Sequence, residues 1–219
     1  GANIAVNPQS YIWPASLLKV PVAMAAMRKV EKGEWSLDTE LLLHEEDRDG
    51  ESGNVEHLVA NAPTGSTFTV EELIKLSLEK SDNTAYRMLL REVGFGAMRD
   101  LHEAIGLEEL ISREGKISAK EYSRVLRSLY TASYLKRSSS QLILRCLDNS
   151  IFNDYISFPI DPTVPFPHKY GKNIDERVYS DSGIVYLEHR PYLISVMVQG
   201  DIMADPEAEE KRATQFMRT

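Results

Sequence analysis

Ala15-Ser16-Leu17-Leu18-Lys19-Val20-Pro21-Val22-Ala23-Met24-Ala25-Ala26-Met27-Arg28-Lys29-Val30 is the stretch on which the fold turns. Leu17, Leu18, Val20, Val22, Ala23, Met24, Ala26, Met27 and Val30 set apolar groups on almost every side of a helical wheel, the composition of a helix buried all round. Such a helix runs through the middle of a domain, so other elements must enclose it. Pro21 cannot donate a backbone hydrogen bond, which predicts an irregular first turn. Gly33 closes the helix, with Arg28, Lys29 and Lys32 near the negative end of its dipole. Lys19 is the exception in this apolar run. An ammonium is costly to bury unless it is paired or used, and Ser16, three residues earlier, shares its helical face.

Working outward, Leu43 to Gly65 reads as a polar, loop-rich segment. Thr69 and Glu72 then form a capping box that opens a helix carrying Val70, Leu73 and Ile74 and stopping near Lys80. Ser81-Asp82-Asn83 interrupts the helical pattern, with Asn83 able to cap the next helix, which turns Ala85, Met88 and Leu89 inward and ends near Gly94. Further helices are predicted over 97–105, over 119–130 behind the Ser118/Glu121 capping box, and over 139–147. From Lys169 the pattern changes. Segments 178–187 and 192–199 are rich in Val, Ile and Tyr and flank the turn Glu188-His189-Arg190-Pro191, which predicts an antiparallel hairpin. Asp205 and Pro206 fit the N-cap and first position of a last helix, and Asn3 to Val6 offers one more short strand. The expectation is an α+β fold: one domain over 1–219, helical over about 35–150, with an antiparallel sheet drawn from the two termini.

Composition removes several function classes. Hydrophobic residues at 42% and charged residues at 26% describe a folded, soluble body. A formal charge of -8 opposes a polyanionic partner, because nucleic-acid affinity rests on Lys and Arg neutralising phosphates. The one cysteine, Cys146, forbids an intramolecular disulfide and sits among Leu142, Ile143, Leu144 and Leu147 as a core residue. Asp47, Asp49 and Glu51 echo part of a calcium loop, but Ser52 stands where glycine is needed and Leu58 where an acid should close it, so a solvated acidic loop is expected. His44, His57, His102, His168 and His189 lack metal-ligand spacing, and Gly94-Phe95-Gly96 lacks a strand-turn-helix setting; no metal and no cofactor are predicted. No apolar run spans a membrane, and the chain opens at Gly1-Ala2 without a methionine, as if trimmed.

The chemistry rests on three elements. A serine hydroxyl becomes nucleophilic when a base takes its proton, and a lysine serves once burial or a neighbouring cation disfavours its charge. Ser16/Lys19 meets that need, whereas Ser77/Lys80 and Ser133/Lys136 repeat the S-x-x-K spacing on ordinary amphipathic or polar stretches. Ser81-Asp82-Asn83 sits at a helix-to-helix corner, with Ser52-Gly53-Asn54 as a second S-x-N match. Lys169-Tyr170-Gly171 places an ammonium on a strand edge beside a glycine that permits close approach of a ligand to the backbone.

In the order S-x-x-K, S-x-N, K-x-G, these elements resemble the penicillin-recognising serine enzymes, the class A β-lactamases and penicillin-binding D,D-peptidases. Ala15 to Val22, Ser81-Asp82-Asn83-Thr84-Ala85 and Ser182-Gly183-Ile184-Val185-Tyr186-Leu187 are similar to that superfamily too, so the likeness covers nearly the whole chain. The resemblance implies that Ser16 is acylated, that Lys19 is its base or proton relay, and that Ser81 passes a proton to the leaving nitrogen. It further implies that Asn83 holds the substrate's amide side chain and that Lys169 attracts its carboxylate while also tuning the proton network around Ser81. Tyr170 and Gly171 would line that site, and the backbone amides of Ser16 and Lys172 would form an oxyanion hole, a device worth roughly a hundred- to a thousandfold in rate. An extracytoplasmic location is implied in the same way.

Three departures qualify the likeness. The superfamily's hydrolytic members carry a water-activating glutamate in an E-x-x-x-N sequence, and after Gly106 none of Glu108, Glu109, Glu114 and Glu121 has asparagine four residues later. Tyr170 replaces a small hydroxyl residue, and an outermost N-terminal strand is expected to be missing. Three functions stay open: a slowly deacylating enzyme acting on a β-lactam or D-alanyl peptide, an efficient class A-type β-lactamase, and a non-catalytic scaffold that binds cell-wall peptide or a protein partner.

Overall fold

The computed structural model describes residues 4–48, 58–107 and 114–219. A 3₁₀ turn, Ala15–Leu18, leads directly into α1, Lys19–Glu31. This is the irregular start that Pro21 predicts; the proline occupies the third helical position, where the N–H has no partner within the helix. Val20, Ala23, Met24, Ala25 and Ala26 are fully enclosed, so α1 is the central rod that its composition requires. Gly33, at φ 74°, ends it in a left-handed conformation open to glycine at little cost.

The enclosing helices follow. Strand β1 (Glu40–Leu42), the short helix α2 (Leu58–Asn61) and strand β2 (Thr67–Thr69) lead to α3 (Val70–Glu79) and α4 (Asn83–Ile105). Next come α5 (Ala119–Thr131) and α6 (Arg137–Asp148). The capping boxes Thr69/Glu72 and Ser118/Glu121 both form. Val125 and Leu129 of α5, Leu73 and Leu78 of α3, Met88 of α4 and Leu147 of α6 converge on α1 in one hydrophobic cluster.

Strands β3 (His168–Asn173), β4 (Val178–Val185) and β5 (Tyr192–Gln199) form an antiparallel sheet in that order, with Lys169 opposite Ser182 and Tyr170 opposite Asp181. Every residue of the central strand β4 is buried, because the helical body covers one face of the sheet. The helix α7 (Pro206–Arg218) covers the other, with Tyr155, Phe166, Tyr179, Ala213 and Met217 in a second cluster. Asp205 caps α7 and Pro206 opens it, as predicted. The α+β fold class holds.

Three details differ from expectation. Ile4 to Val6 lies in no strand and Asn3 lies outside the described residues, so the sheet draws on residues 168–199 rather than on both termini. The supposed loop after Leu43 contains α2, and a small hairpin, Glu40↔Thr69 to Leu42↔Thr67, ties its two ends together; strands of three residues are too short to show alternation. The helix expected to end near Gly94 does break there, at φ 75° and ψ 163°, and the further helix predicted beyond it runs to Ile105, the two joined across the kink as α4. Asp47 is buried rather than solvated, bonded at 3.0 Å by Arg91 Nε and Nη2, which supply the counter-charge that a buried carboxylate needs; Asp49, Glu51 and Ser52-Gly53-Asn54 lie outside the described residues.

Candidate active site

The nucleophile candidate is presented by a strained turn. Ala15 takes a left-handed φ of 48°, which aims the 3₁₀ turn into the seam between the helical body and the edge strand β3. Residues three apart eclipse in a 3₁₀ helix, so Lys19 stands directly beneath Ser16, and its Nζ lies 3.0 Å from Ser16 Oγ. Tyr122 of α5 fixes the turn from below: its hydroxyl donates to the Leu17 carbonyl at 3.0 Å.

The second serine arrives from the corner between α3 and α4. Ser81 is also left-handed, at φ 56°, and Asp82 rather than Asn83 caps α4, accepting from the Ala85 N–H at 2.8 Å. That corrects the expected cap and has a consequence: Asn83, relieved of capping, turns its side chain into the seam. Lys19 Nζ therefore lies 2.5 Å from Asn83 Oδ1, 2.5 Å from the Ser81 carbonyl and 3.0 Å from Ser81 Oγ. Lys169 of β3 completes the group, its Nζ 3.0 Å from Ser81 Oγ and 3.1 Å from the Tyr170 carbonyl. Ser16, Ser81 and Asn83 thus gather around Lys19 Nζ, and Ser81 Oγ is shared between Lys19 and Lys169.

Both amines are almost sealed from solvent, Lys169 at 0% exposure and Lys19 at 2%. Complete burial, reinforced by the neighbouring Lys19, holds Lys169 well below the ordinary lysine range, while Asp181 opposes that shift. Asp181 was not singled out from the sequence. It sits fully buried at the centre of β4, where His168 Nδ1 lies 2.8 Å from Oδ1 and the Ile156 N–H donates to Oδ2 at 3.1 Å. The available signal was an acid inside the otherwise sheet-forming run Val178-Tyr179-Ser180-Asp181-Ser182-Gly183-Ile184-Val185, a position tolerable only with partners.

Two predicted site residues also carry structural contacts. A side chain on Gly171 would place its Cβ 2.7 Å from the Pro14 carbonyl, so its bareness lets β3 press against the serine-bearing turn rather than admit a ligand. The Lys172 side chain reaches Glu210 of α7 at 2.5 Å, which leaves its backbone as the only part aligned with the predicted role. Tyr170 lies with its ring 4.0 Å from Lys169 Nζ and stacked on Phe152 at 3.8 Å.

The rival matches fall away. Ser77 donates to the Ile74 carbonyl inside α3, and Lys136 caps α6 with its N–H on Glu31. Glu121 is engaged in its capping box, while Glu108 and Glu109 lie outside the described residues. The Cys146 thiol is buried in the core and pushed up to about 12 by desolvation, which suits an inert packing residue.

A helical body and an antiparallel sheet that bring serine and lysine side chains together along their seam define a class, and the comparisons name it. The profile of the beta-lactamase enzyme family matches residues 1–218, and the chain belongs to that family. Among individual proteins it is similar to beta-lactamase VEB-1 of Pseudomonas aeruginosa, 23% identical over 92 residues that make up 42% of this chain and 30% of that enzyme. The fold matches that of PBP-A, with a TM-score of 0.82 at 22% identity over 97% of this chain and 81% of that one. It also matches a beta-lactamase of Sphaerobacter thermophilus, at 0.81 and 21% identity over 99% and 88%.

Proposed function

We propose that the chain is a serine hydrolase or acyltransferase that becomes acylated at Ser16 by a β-lactam or a D-alanyl peptide and deacylates slowly. The observation that carries this reading is the convergence of two buried amines on Ser81 Oγ with Ser16 Oγ beside one of them, each contact at 3.0 Å. Once it has given up its own proton, Lys19 keeps two N–H donors, enough for the Ser81 carbonyl and Asn83 Oδ1, and can turn its lone pair to Ser16. As Ser16 Oγ attacks the carbonyl carbon, its proton passes to Lys19. The C–N bond then breaks, Ser81 gives its proton to the leaving nitrogen, and Lys19 restores the proton of Ser81. The backbone amides of Ser16 and Lys172 are assigned to the oxyanion, and Asn83 to the substrate's amide side chain.

Slow discharge is supported by the missing E-x-x-x-N sequence and by the capping role of Glu121. Lacking a positioned general base, hydrolysis forgoes roughly a hundred- to ten-thousandfold. A PBP-A mutant is known as an acyl-enzyme complex with penicillin G, which makes penicillin the first reagent to try. The same reading makes residues 1–219 one catalytic domain and places it outside the cytoplasm.

Time-resolved intact mass with a penicillin separates the two half-reactions. An adduct that forms on the wild type, persists for minutes and is absent from Ser16→Ala is the expected result. Rapid turnover of a chromogenic cephalosporin, lost in Ser16→Ala, would instead establish an efficient β-lactamase. No adduct on either protein, with saturable peptide binding intact in both, would establish a binding scaffold.

A further inference from the structure

Between α6 and β3 the chain crosses from the helical body to the sheet, and residues 149–156 are fastened to both on the way. The Ile151 N–H donates at 3.1 Å to the carbonyl of Glu79, the last residue of α3. A helix C-terminus leaves its last carbonyls without internal partners, so a bond from outside anchors the helix end, and Ser81 follows two residues later. One residue beyond Ile151, the half-buried Phe152 stacks on Tyr170 of β3 at 3.8 Å with planes 16° apart, and the buried Tyr155 braces it edge-on at 4.7 Å. The Ile156 N–H then donates at 3.1 Å to Asp181 Oδ2, part of the buried carboxylate that also meets His168. Asp148 Oδ1 accepts from the Phe166 N–H at 2.8 Å and closes the crossing at its base.

The Ser81 corner depends on its surroundings. A φ of 56° is uncommon for a residue with a side chain and persists where neighbouring contacts over-determine it. Lys19 holds the corner within the helical body, and the 3.0 Å contact between Ser81 Oγ and Lys169 Nζ reaches across to the sheet. The same two elements are joined a second time by Ile151 and Phe152, from a residue just before Ser81 to the residue just after Lys169.

Resting on the acyl-transfer reading and deepening it, we infer that residues 149–156 are a strap that sets the spacing between Ser81 and Lys169, with Phe152 as its positioning residue, and that the strap thereby governs proton delivery to the leaving nitrogen. Phe152 acts through Tyr170 and the Ile151 bond, not on the substrate. When the C–N bond breaks, its electron pair stays on nitrogen and takes the proton of Ser81, which Lys19 replaces. A nitrophenolate, by contrast, departs as a stable anion and needs no proton from Ser81, although the attack by Ser16 is the same. The strap therefore matters for nitrogen leaving groups and little for such esters.

The test follows acylation by benzylpenicillin and by a nitrophenyl ester, by intact mass, in wild type, Ser81→Ala, Phe152→Ala, Phe152→Leu and Phe152→Tyr. Ser81→Ala sets the scale: loss of the general acid should slow penicillin by about a hundredfold or more and the ester by less than about threefold. Phe152→Ala should lose about tenfold in maximal rate with penicillin and less than about twofold with the ester, the signature of a displaced proton donor. Phe152→Leu, which keeps bulk but not the stack, should show the same split to a smaller extent and carries the comparison if Phe152→Ala does not fold. Phe152→Tyr keeps the ring and should behave as wild type. Hydrogen exchange of peptides spanning residues 80–86 reads the Ser81 corner without involving Ser16; it should quicken in Phe152→Ala and Phe152→Leu and be restored in Phe152→Tyr. Equal loss with both acyl donors, or unchanged exchange at the corner, overturns the inference. If no protein is acylated by either compound, the Ser16 reading falls, and exchange at the corner alone upholds or rejects the strap.

Discussion

Lys169 shows how much one position can carry. Burial and the nearby Lys19 hold its folded-state value well below 10.5, so over the interval between the two values the unfolded chain binds a proton that the native chain has shed. Stability contributed by this site therefore rises with pH across that window and is lowest at its acid end. Urea midpoints measured from about pH 6 to about pH 9 should show the wild type gaining on Lys169→Met as pH increases; a constant difference would mean that the ammonium is not penalised. Asp181 tempers the penalty from the neighbouring strand, and its removal should leave His168 and the Ile156 N–H unpaired at a cost of about 1–3 kcal/mol in Asp181→Ala. Ser16, Lys19, Ser81, Asn83 and Lys169 were all legible as residue types at set spacings. Asp181 was not, because its significance depends on the strand that faces it.

Elements were legible where local chemistry dictates them. The capping boxes Thr69/Glu72 and Ser118/Glu121, the Asp205–Pro206 start of α7 and the Val178 and Tyr192 starts of β4 and β5 follow from side chains that bond or pack within a few residues. The cap of α4 was misread because Ser81, Asp82 and Asn83 are all competent caps, and only the left-handed Ser81 decides which of them meets the Ala85 N–H. Asp82→Ala should lower the denaturation midpoint by the equivalent of about 1 kcal/mol, whereas Asp82→Asn, which keeps an accepting oxygen, should lose under about 0.5 kcal/mol. Gly171 was read as an opening for ligand because its spacing revealed the strand but not what lies beside it. Gly171→Ala forces the Pro14 carbonyl to move with the serine turn, and a cost of about 1–3 kcal/mol together with a slower adduct at Ser16 is the expected outcome by urea titration and intact mass.

At the scale of the molecule, the apolar rod α1 is shared property: the helical body packs around it, and its N-terminal turn is the piece that β3 rests on. Tyr122 is the long-range tie, a buried phenol on α5 that donates to the Leu17 carbonyl in the Ser16 turn. Tyr122→Phe should cost about 1–3 kcal/mol in urea, the penalty of an orphaned buried carbonyl, and should slow acylation at Ser16 more than a surface substitution of equal cost. Composition and periodicity alone determined the buried helix, the helices around it, the hairpin and the order of the three reactive elements, because each depends on residues within a turn or two of one another. What only the tertiary structure decided was which side chains meet: Asn83 on Lys19, Asp181 on His168, and Tyr170 against Lys169 and Phe152. Those contacts join residues far apart in the chain, and their geometry is set by how the sheet docks on the helical body, a packing outcome that no local pattern encodes.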